Sequence, residues 1–422
     1  MFFFVHLIAI LKYRYFFMHM IDIKPFKGFL PKKEQADTIS TRPINSYSEI
    51  ELQELMEKHP ESFLNIILHD EPKREMPLED RFKKINQLFN EAISKGDFTQ
   101  SQNKSVYVYR QTSENNSYCG IIAGAATKDY RDGKIKKHEH TLEKREKLFK
   151  TYLSLTGFNA EPVLLVYPNQ EKITNCIEEI IASSPLYSFK TNDGLEHDLW
   201  EVNDTEKLEL IIKGFRNIPS VYIADGHHRS ASSNLLAEEN PTMDSNQYVM
   251  SLLMNEDEVT IFDFNRLIKN HLNLDIEQIK TALSKKFVVL DESKEILSPR
   301  EKHEYTLYFD NTWIRFKLNV DKTHTEGIIE QLDPQIITDH ILSPIFDIHD
   351  LKNDTRVDFE PGNKGLESLK NKVDSGKFDI AITMFPVSFA ELKLIADNNL
   401  IMPPKSTYIE PKLRSGLTVY KF

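Results

Sequence analysis

The chain has 422 residues, of which 40% are hydrophobic and 28% charged, with 26 Phe and a formal net charge of −11. That composition supports two or more domains with substantial cores and argues against a disordered chain. The acidic balance argues against general nucleic-acid binding, because phosphate backbones attract basic surfaces, but it leaves room for a small phosphorylated ligand in a local basic pocket.

From the amino end, residues 1–19 read as an extra segment. Phe2–Leu11 is apolar but interrupted by His6, and too short to span a bilayer. Lys12 and Arg14 follow it, the wrong order for a secretory signal. No membrane anchor is expected, and translation from Met18 or Met20 is the competing reading. An opening strand then covers Met20–Phe26. Helices are expected over Ser48–His59, which Pro60 ends, and Arg81–Lys95, which Gly96 stops. Strands follow at Val106–Arg110 and Tyr118–Ala123, a charged helix at Thr141–Thr156, a strand at Pro162–Tyr167 and a helix at Lys172–Ala182. Asn192-Asp193-Gly194 predicts a hairpin turn between Tyr187–Lys190 and Leu195–Val202. After a helix at Thr205–Phe215 come the strand Val221–Ala224, the turn Asp225–Arg229 and a helix at Ser230–Glu239. Tyr248–Met254 and Val259–Phe262 read as the next strand pair, Leu274–Asp291 as helix then strand, and Tyr305–Phe309 with Thr312–Leu318 as a hairpin over Asp310-Asn311. A helical stretch beyond Thr323 precedes a strand at Phe378–Met384. The fold class is mixed α/β with much antiparallel pairing. Residues 20–245 are expected to form one α/β region and 246–422 another. The two cysteines, Cys119 and Cys176, supply neither a disulfide framework nor a cysteine zinc site. A reducing, cytoplasmic setting is the natural expectation, with the oligomeric state left open.

Three segments carry candidate chemistry. In the first, a strand ending in Asp225-Gly226 runs straight into a helix, leaving free backbone N–H groups whose dipole favours an anion. Gly226 permits close approach, Arg229 can fork onto phosphate oxygens, and Ser230 adds a hydroxyl. His227 or His228 can carry a proton, and Asp225 can orient a histidine or hold a metal ion. A tight turn with a capping Asp is the plainer alternative. In the second, Lys137-His138-Glu139-His140-Thr141, the alternate histidines have a metal-ligand spacing on an extended chain, with Asp225 as a third donor. Glu139 can also serve as general base; a solvated helix start is the alternative. In the third, Lys405, Ser406, Lys412 and Arg414 concentrate cations and hydroxyls after Met402-Pro403-Pro404, a clamp for phosphate or simply a surface loop. Asn265 and Arg266, after a strand, are minor candidates for reading a substrate carboxylate. No Walker-type phosphate loop is present.

Ala224–Arg229, Asp263-Phe264-Asn265-Arg266, Met402–Thr407 and Glu410–Leu417 together resemble the family called domain of unknown function 1015, over about Met20 to Phe422. Lys137–Thr141 resembles that family's His-Glu-x-Thr element. Near the amino end the family's Pro-Pro-Tyr-Asp-Val stretch is replaced by Arg42-Pro43-Ile44-Asn45-Ser46-Tyr47, without its acidic residue. The Asp-Gly-His-His-Arg turn is also similar to that of free serine kinases of the ParB/sulfiredoxin-like group, where it cradles nucleotide phosphates. The resemblance implies a partly ParB/sulfiredoxin-like fold and phosphoryl transfer to or from a small hydroxylated metabolite such as serine. It further implies ATP or ADP as co-substrate, with Mg2+. A non-catalytic nucleotide or phosphate sensor is the rival expectation.

Overall fold

The computed structural model describes residues 21–69, 75–322 and 327–422; the expectations for residues 1–19 lie outside them. Two compact units emerge, one running to Val259 and taking back Pro411–Phe422, the other spanning Thr260–Glu410. The sequence reading divided the chain near residue 245. That point precedes Tyr248–Asn255, a strand hydrogen-bonded on both sides inside the first unit's sheet, so no division can fall there.

The first unit is built on a nine-stranded mixed sheet. Its strands are β1 (Ile23–Lys24), β2 (Val106–Thr112), β3 (Ser117–Ala126), β4 (Ile135–Lys136), β5 (Val163–Tyr167), β6 (Tyr187–Lys190), β7 (Glu196–Val202), β8 (Val221–Asp225) and β9 (Tyr248–Asn255). Their order is β4-β8-β5-β9-β3-β2-β7-β6, with β1 added to the end of β3. The β8–β4 and β9–β5 pairs are parallel and the rest antiparallel. Strand β5 is Val-Leu-Leu-Val-Tyr with every residue buried, the unbroken apolar run of a strand covered on both faces. Ile173, Ile177 and Ile180 of the helix Glu171–Ile181 pack with it in one core. The helix Glu49–Lys58 begins at a reciprocal capping box between Ser48 and Glu51. Gly96 and Gly157, both left-handed, end Leu78–Lys95 and α1 (Glu143–Thr156) as expected. Helix α2 (His227–Glu239) packs on α1.

One polar contact in this core has a thermodynamic consequence. His197 of β7 is fully buried, with the Tyr109 hydroxyl 2.8 Å from Nδ1 and the Thr191 hydroxyl 3.1 Å from Nε2. Burial, and then the charge of Arg414, push its pKa down from 6.5 to about 3. Between those values the unfolded chain takes up a proton that the native site refuses, so stability falls as the pH drops, by up to about 1.4 kcal/mol per pH unit. His197→Gln is expected to flatten this acid limb in urea-unfolding profiles taken across the window.

The second unit centres on a six-stranded antiparallel sheet. Its strands are β10 (Phe264–Ile268), β11 (Phe287–Ser293), β12 (Glu304–Phe309), β13 (Thr312–Leu318), β14 (Val357–Pro361) and β15 (Ile380–Met384), in the order β11-β13-β12-β15-β10-β14. Asp310 and Asn311 both take positive φ, the mirror-image turn that suits a two-residue hairpin. Thr260–Phe262 pairs with Tyr408–Glu410 and not with Tyr248–Asn255, contrary to the strand pair read from sequence.

Candidate anion-binding site

Strand β8 is buried through Ala224, and its register against β5 slips between Ile223 and Asp225. Such an irregularity re-aims the chain as it leaves the sheet. Gly226 follows with φ +96°, and helix α2 starts at His227, three residues earlier than the sequence reading placed it. His227, His228 and Arg229 therefore form the first helical turn, where N–H groups have no intrahelical acceptor. No side chain caps this start. The Ser230 hydroxyl beside it is buried without a hydrogen-bond partner. Arg229 bonds Glu161 at 2.8 Å, Asp225 at 3.1 Å and the Pro162 carbonyl. Lys412 Nζ lies 4.0 Å from the other oxygen of Asp225. Burial alone would raise the Asp225 pKa, but Lys412 and Arg229, with the Gly226 N–H, outweigh it and hold the carboxyl below its usual range. The turn is thus a set of cations held in place by two carboxylates, and Glu161 went unnoticed in the sequence. A Cβ on Gly226 would stand 3.0 Å from Arg229 Nε. Gly226→Ala is expected to cost about 1–2 kcal/mol from the left-handed backbone and to displace the guanidinium, weakening anion binding measured by calorimetry.

Behind the turn lie three further groups. His138 is 1% exposed and His227 6%, their ring centroids 4.6 Å apart and nearly perpendicular. Glu139 is half-exposed and places Oε2 3.5 Å from His227 Nδ1. Neither nitrogen of His138 has a hydrogen-bond partner, nor does Nε2 of His227. Burial lowers the His138 pKa to about 4; burial, then the charges of His138 and His228, hold His227 well below its usual value. Both shifts favour the neutral ring. Among the described residues His138, Glu139 and His227 are the group of three that could hold a metal ion, with ligand atoms within 4.8 Å of one another. The expected set of His138, His140 and Asp225 is not assembled: His140 is exposed, and Asp225 is taken by Arg229 and Lys412. His228 faces α1, where Arg145 and Glu146 act on it after burial has already lowered its pKa.

Also within the first unit is a cavity of about 520 Å³, lined among others by Ser40, Arg42, Tyr47, Lys58, Asp193 and Arg414. Arg42 and Tyr47 belong to one wall. Pro43 and a short turn at Ile44–Ser46 fold it so that the Arg42 guanidinium covers the Tyr47 ring at 4.3 Å, while the Arg42 N–H donates to the Tyr47 hydroxyl at 2.8 Å. Asn45 is exposed. Arg414 does not reach the turn. It donates to the Ser40 carbonyl at 2.8 Å and the Ser40 hydroxyl at 3.3 Å, and lies 3.6 Å from Asp193. Thr41 and Ser415 exchange backbone hydrogen bonds of 3.0 and 2.8 Å, and the Ser415 hydroxyl donates to Glu161 at 3.2 Å. One short segment thus touches both places, with Lys412 toward Asp225 and Arg414 toward the cavity. Arg42, Lys58 and Asp193 were not singled out as site residues, because the first two sit in ordinary helix and loop patterns and Asp193 reads as a hairpin residue.

Lys405, Ser406, Asn265 and Arg266 belong to the second unit. Arg266 is fully buried, donating to the Lys405 carbonyl at 3.0 Å and to that of Phe264, and covering the Phe359 ring at 4.9 Å. Burial lowers its pKa to about 9. The Ser406 hydroxyl donates to the Pro403 carbonyl at 2.7 Å, and Lys405 Nζ lies over the Phe264 ring at 4.9 Å. Asn265 is buried with Oδ1 unpartnered. The contacts of Arg266, Lys405 and Ser406 brace a loop of their own unit.

The chain belongs to the family of proteins of unknown function DUF1015, whose profile matches residues 23–335. The match ends before Met402–Thr407 and Glu410–Leu417. No curated protein sequence matches the chain. A free serine kinase in complex with AMP shares 14% identity over 66% of this chain and 84% of its own, at a TM-score of 0.32. SbnI with a C-terminal truncation, from Staphylococcus aureus, shares 12% over 68% and 82%, at 0.34. A conserved hypothetical protein from Pyrococcus furiosus shares 13% over 66% and 87%, at 0.32. No helix among the described residues is long and apolar enough to cross a membrane.

Proposed function

We propose that the first unit binds the phosphates of a nucleotide, ATP or ADP, and transfers a phosphoryl group to or from a small hydroxylated metabolite. The observation that carries this reading is the uncapped amino end of α2 behind Gly226, with Arg229 and Lys412 beside it. Phosphoryl transfer asks for positioning and charge neutralisation more than for covalent chemistry. Phosphate oxygens would accept from the N–H groups after Gly226 and from the Ser230 hydroxyl, drawing Arg229 and Lys412 from Asp225. Mg2+ would accompany the nucleotide. Asp225, kept ionised by its surroundings, would take the proton of the acceptor hydroxyl. The adjoining cavity, within the size range of small-molecule sites, would hold the rest of the ligand against Arg42 and Lys58. The turn's resemblance to that of free serine kinases makes serine the first acceptor to test. Purified protein incubated with ATP or ADP, Mg2+ and serine should yield O-phosphoserine by mass spectrometry, or release phosphate from O-phosphoserine in the reverse assay. Blank results in both, with no rise in melting temperature on adding nucleotide, would overturn the proposal. Blank assays with a rise would favour a nucleotide sensor, a reading supported by Asn45 standing where the family carries an acid.

A further inference from the structure

We infer that His138, Glu139 and His227 form a site for one divalent transition-metal ion of the zinc class, separate from any Mg2+ carried by a nucleotide. Buried imidazole nitrogens ordinarily find hydrogen-bond partners, since leaving one unpaired costs about 1–3 kcal/mol. Here neither nitrogen of His138 has one, and a single ion would take one of the two. The two rings lie edge to face, and the Glu139 carboxylate approaches Nδ1 of His227, the nitrogen that would share the ion with it. Neutral imidazole is the form that binds a metal. Two imidazoles and one carboxylate are also the donor set of open catalytic zinc sites, whereas Mg2+ prefers oxygen ligands in near-octahedral order. With bonds of about 2.1 Å, tetrahedral donors sit roughly 3.4 Å apart. Glu139 and His227 are already at 3.5 Å and the full set is within 4.8 Å, so closure needs only modest side-chain rotation.

The site is built from two places in the chain. His138 and Glu139 stand on the loop after β4, and His227 opens α2 immediately after Gly226. Three protein donors leave a coordination position for water or for a ligand oxygen, next in sequence to the anion turn. A cation is disfavoured at a helix's amino end by the macrodipole, and the Glu139 carboxylate supplies the compensating charge. The inference does not depend on phosphoryl transfer, and metal binding is measured without it.

The test uses the full chain, stripped with a chelator and dialysed, then titrated with Zn2+ and with Co2+. The expected result is one equivalent of metal by mass spectrometry of the desalted protein, a Co2+ visible spectrum of nitrogen–oxygen coordination, and a melting temperature raised by Zn2+. Excess Mg2+ should not displace it. Glu139→Gln, at a half-exposed position, should weaken Zn2+ binding by about tenfold or more with the metal-free melting temperature as the control for folding, and His138→Asn should abolish it. Glu143→Gln, nearby and exposed, should change nothing. Absence of stoichiometric Zn2+ in the wild type, or equal affinity in Glu139→Gln and the wild type, would overturn the site.

Discussion

Asp225→Asn is expected to abolish turnover while tightening the hold on phosphate. In the ligand-free protein the Asp225 carboxylate occupies Arg229 at 3.1 Å and stands 4.0 Å from Lys412, so it competes with any incoming anion for both cations. Removing its charge takes one competitor from each of them, though Arg229 keeps Glu161 at 2.8 Å, and leaves the glycine turn and the uncapped helix start in place. A charge-assisted contact released in this way is worth about 1.5–3 kcal/mol, or roughly ten- to a hundredfold in affinity. Loss of the proton acceptor should lower kcat by about a hundred- to ten-thousandfold. Calorimetric titration with nucleotide, paired with the O-phosphoserine assay, separates the two effects. Weaker binding in Asp225→Asn would mean that Asp225 positions the ligand and does not compete with it. Unchanged turnover would remove it from the chemistry.

Arg414→Ala should damage the fold more than the ligand site. Arg414 is buried, and its guanidinium ties the Ser40 carbonyl and hydroxyl to Asp193 across one wall of the cavity. Truncation leaves that carbonyl without its donor and takes a compensating charge from the partly buried Asp193 carboxylate, which keeps the Thr191 hydroxyl. The expected loss is roughly 2–4 kcal/mol, below the figure for a fully enclosed ion pair because Asp193 keeps some contact with solvent. Asp193 itself is held below the usual carboxylate range by the Thr191 hydroxyl and by Arg414, although burial acts the other way. Arg414→Lys should recover only part of the loss, since an ammonium cannot fork across both partners. A lower urea midpoint in Arg414→Ala, with less recovery in Arg414→Lys, would fit a brace. An unchanged midpoint with lost nucleotide binding would return Arg414 to the role read from sequence.

Local patterns were legible wherever one short stretch decides the outcome. The helices at Glu49–Lys58 and Thr205–Phe215, the hairpin over Asp310-Asn311 and the glycine that opens α2 all follow from spacing, capping and turn chemistry. Long-range pairings were not. Nothing in Thr260–Phe262 says that its partner is Tyr408–Glu410, and nothing in Glu161 announces that it will meet Arg229. The alternate spacing of His138 and His140 suggested a shared face, yet tertiary packing buries one ring and exposes the other. The cations near the carboxyl end read as one cluster, but a unit boundary runs through them between Glu410 and Pro411.

That boundary bears on synthesis. Translation delivers the glycine turn and all nine strands of the large sheet long before Pro411–Phe422, the stretch that brings Lys412 to Asp225 and Arg414 to Ser40. A nascent chain halted anywhere in the inserted unit would own the helix start but lack one of its flanking ammonium groups and the brace of the neighbouring wall. On the proposed reading a full hold on phosphate arrives only with Pro411–Phe422, and because Leu413, Leu417 and Val419 are buried in the first unit, a product clipped before them should be both less stable and less protected by nucleotide.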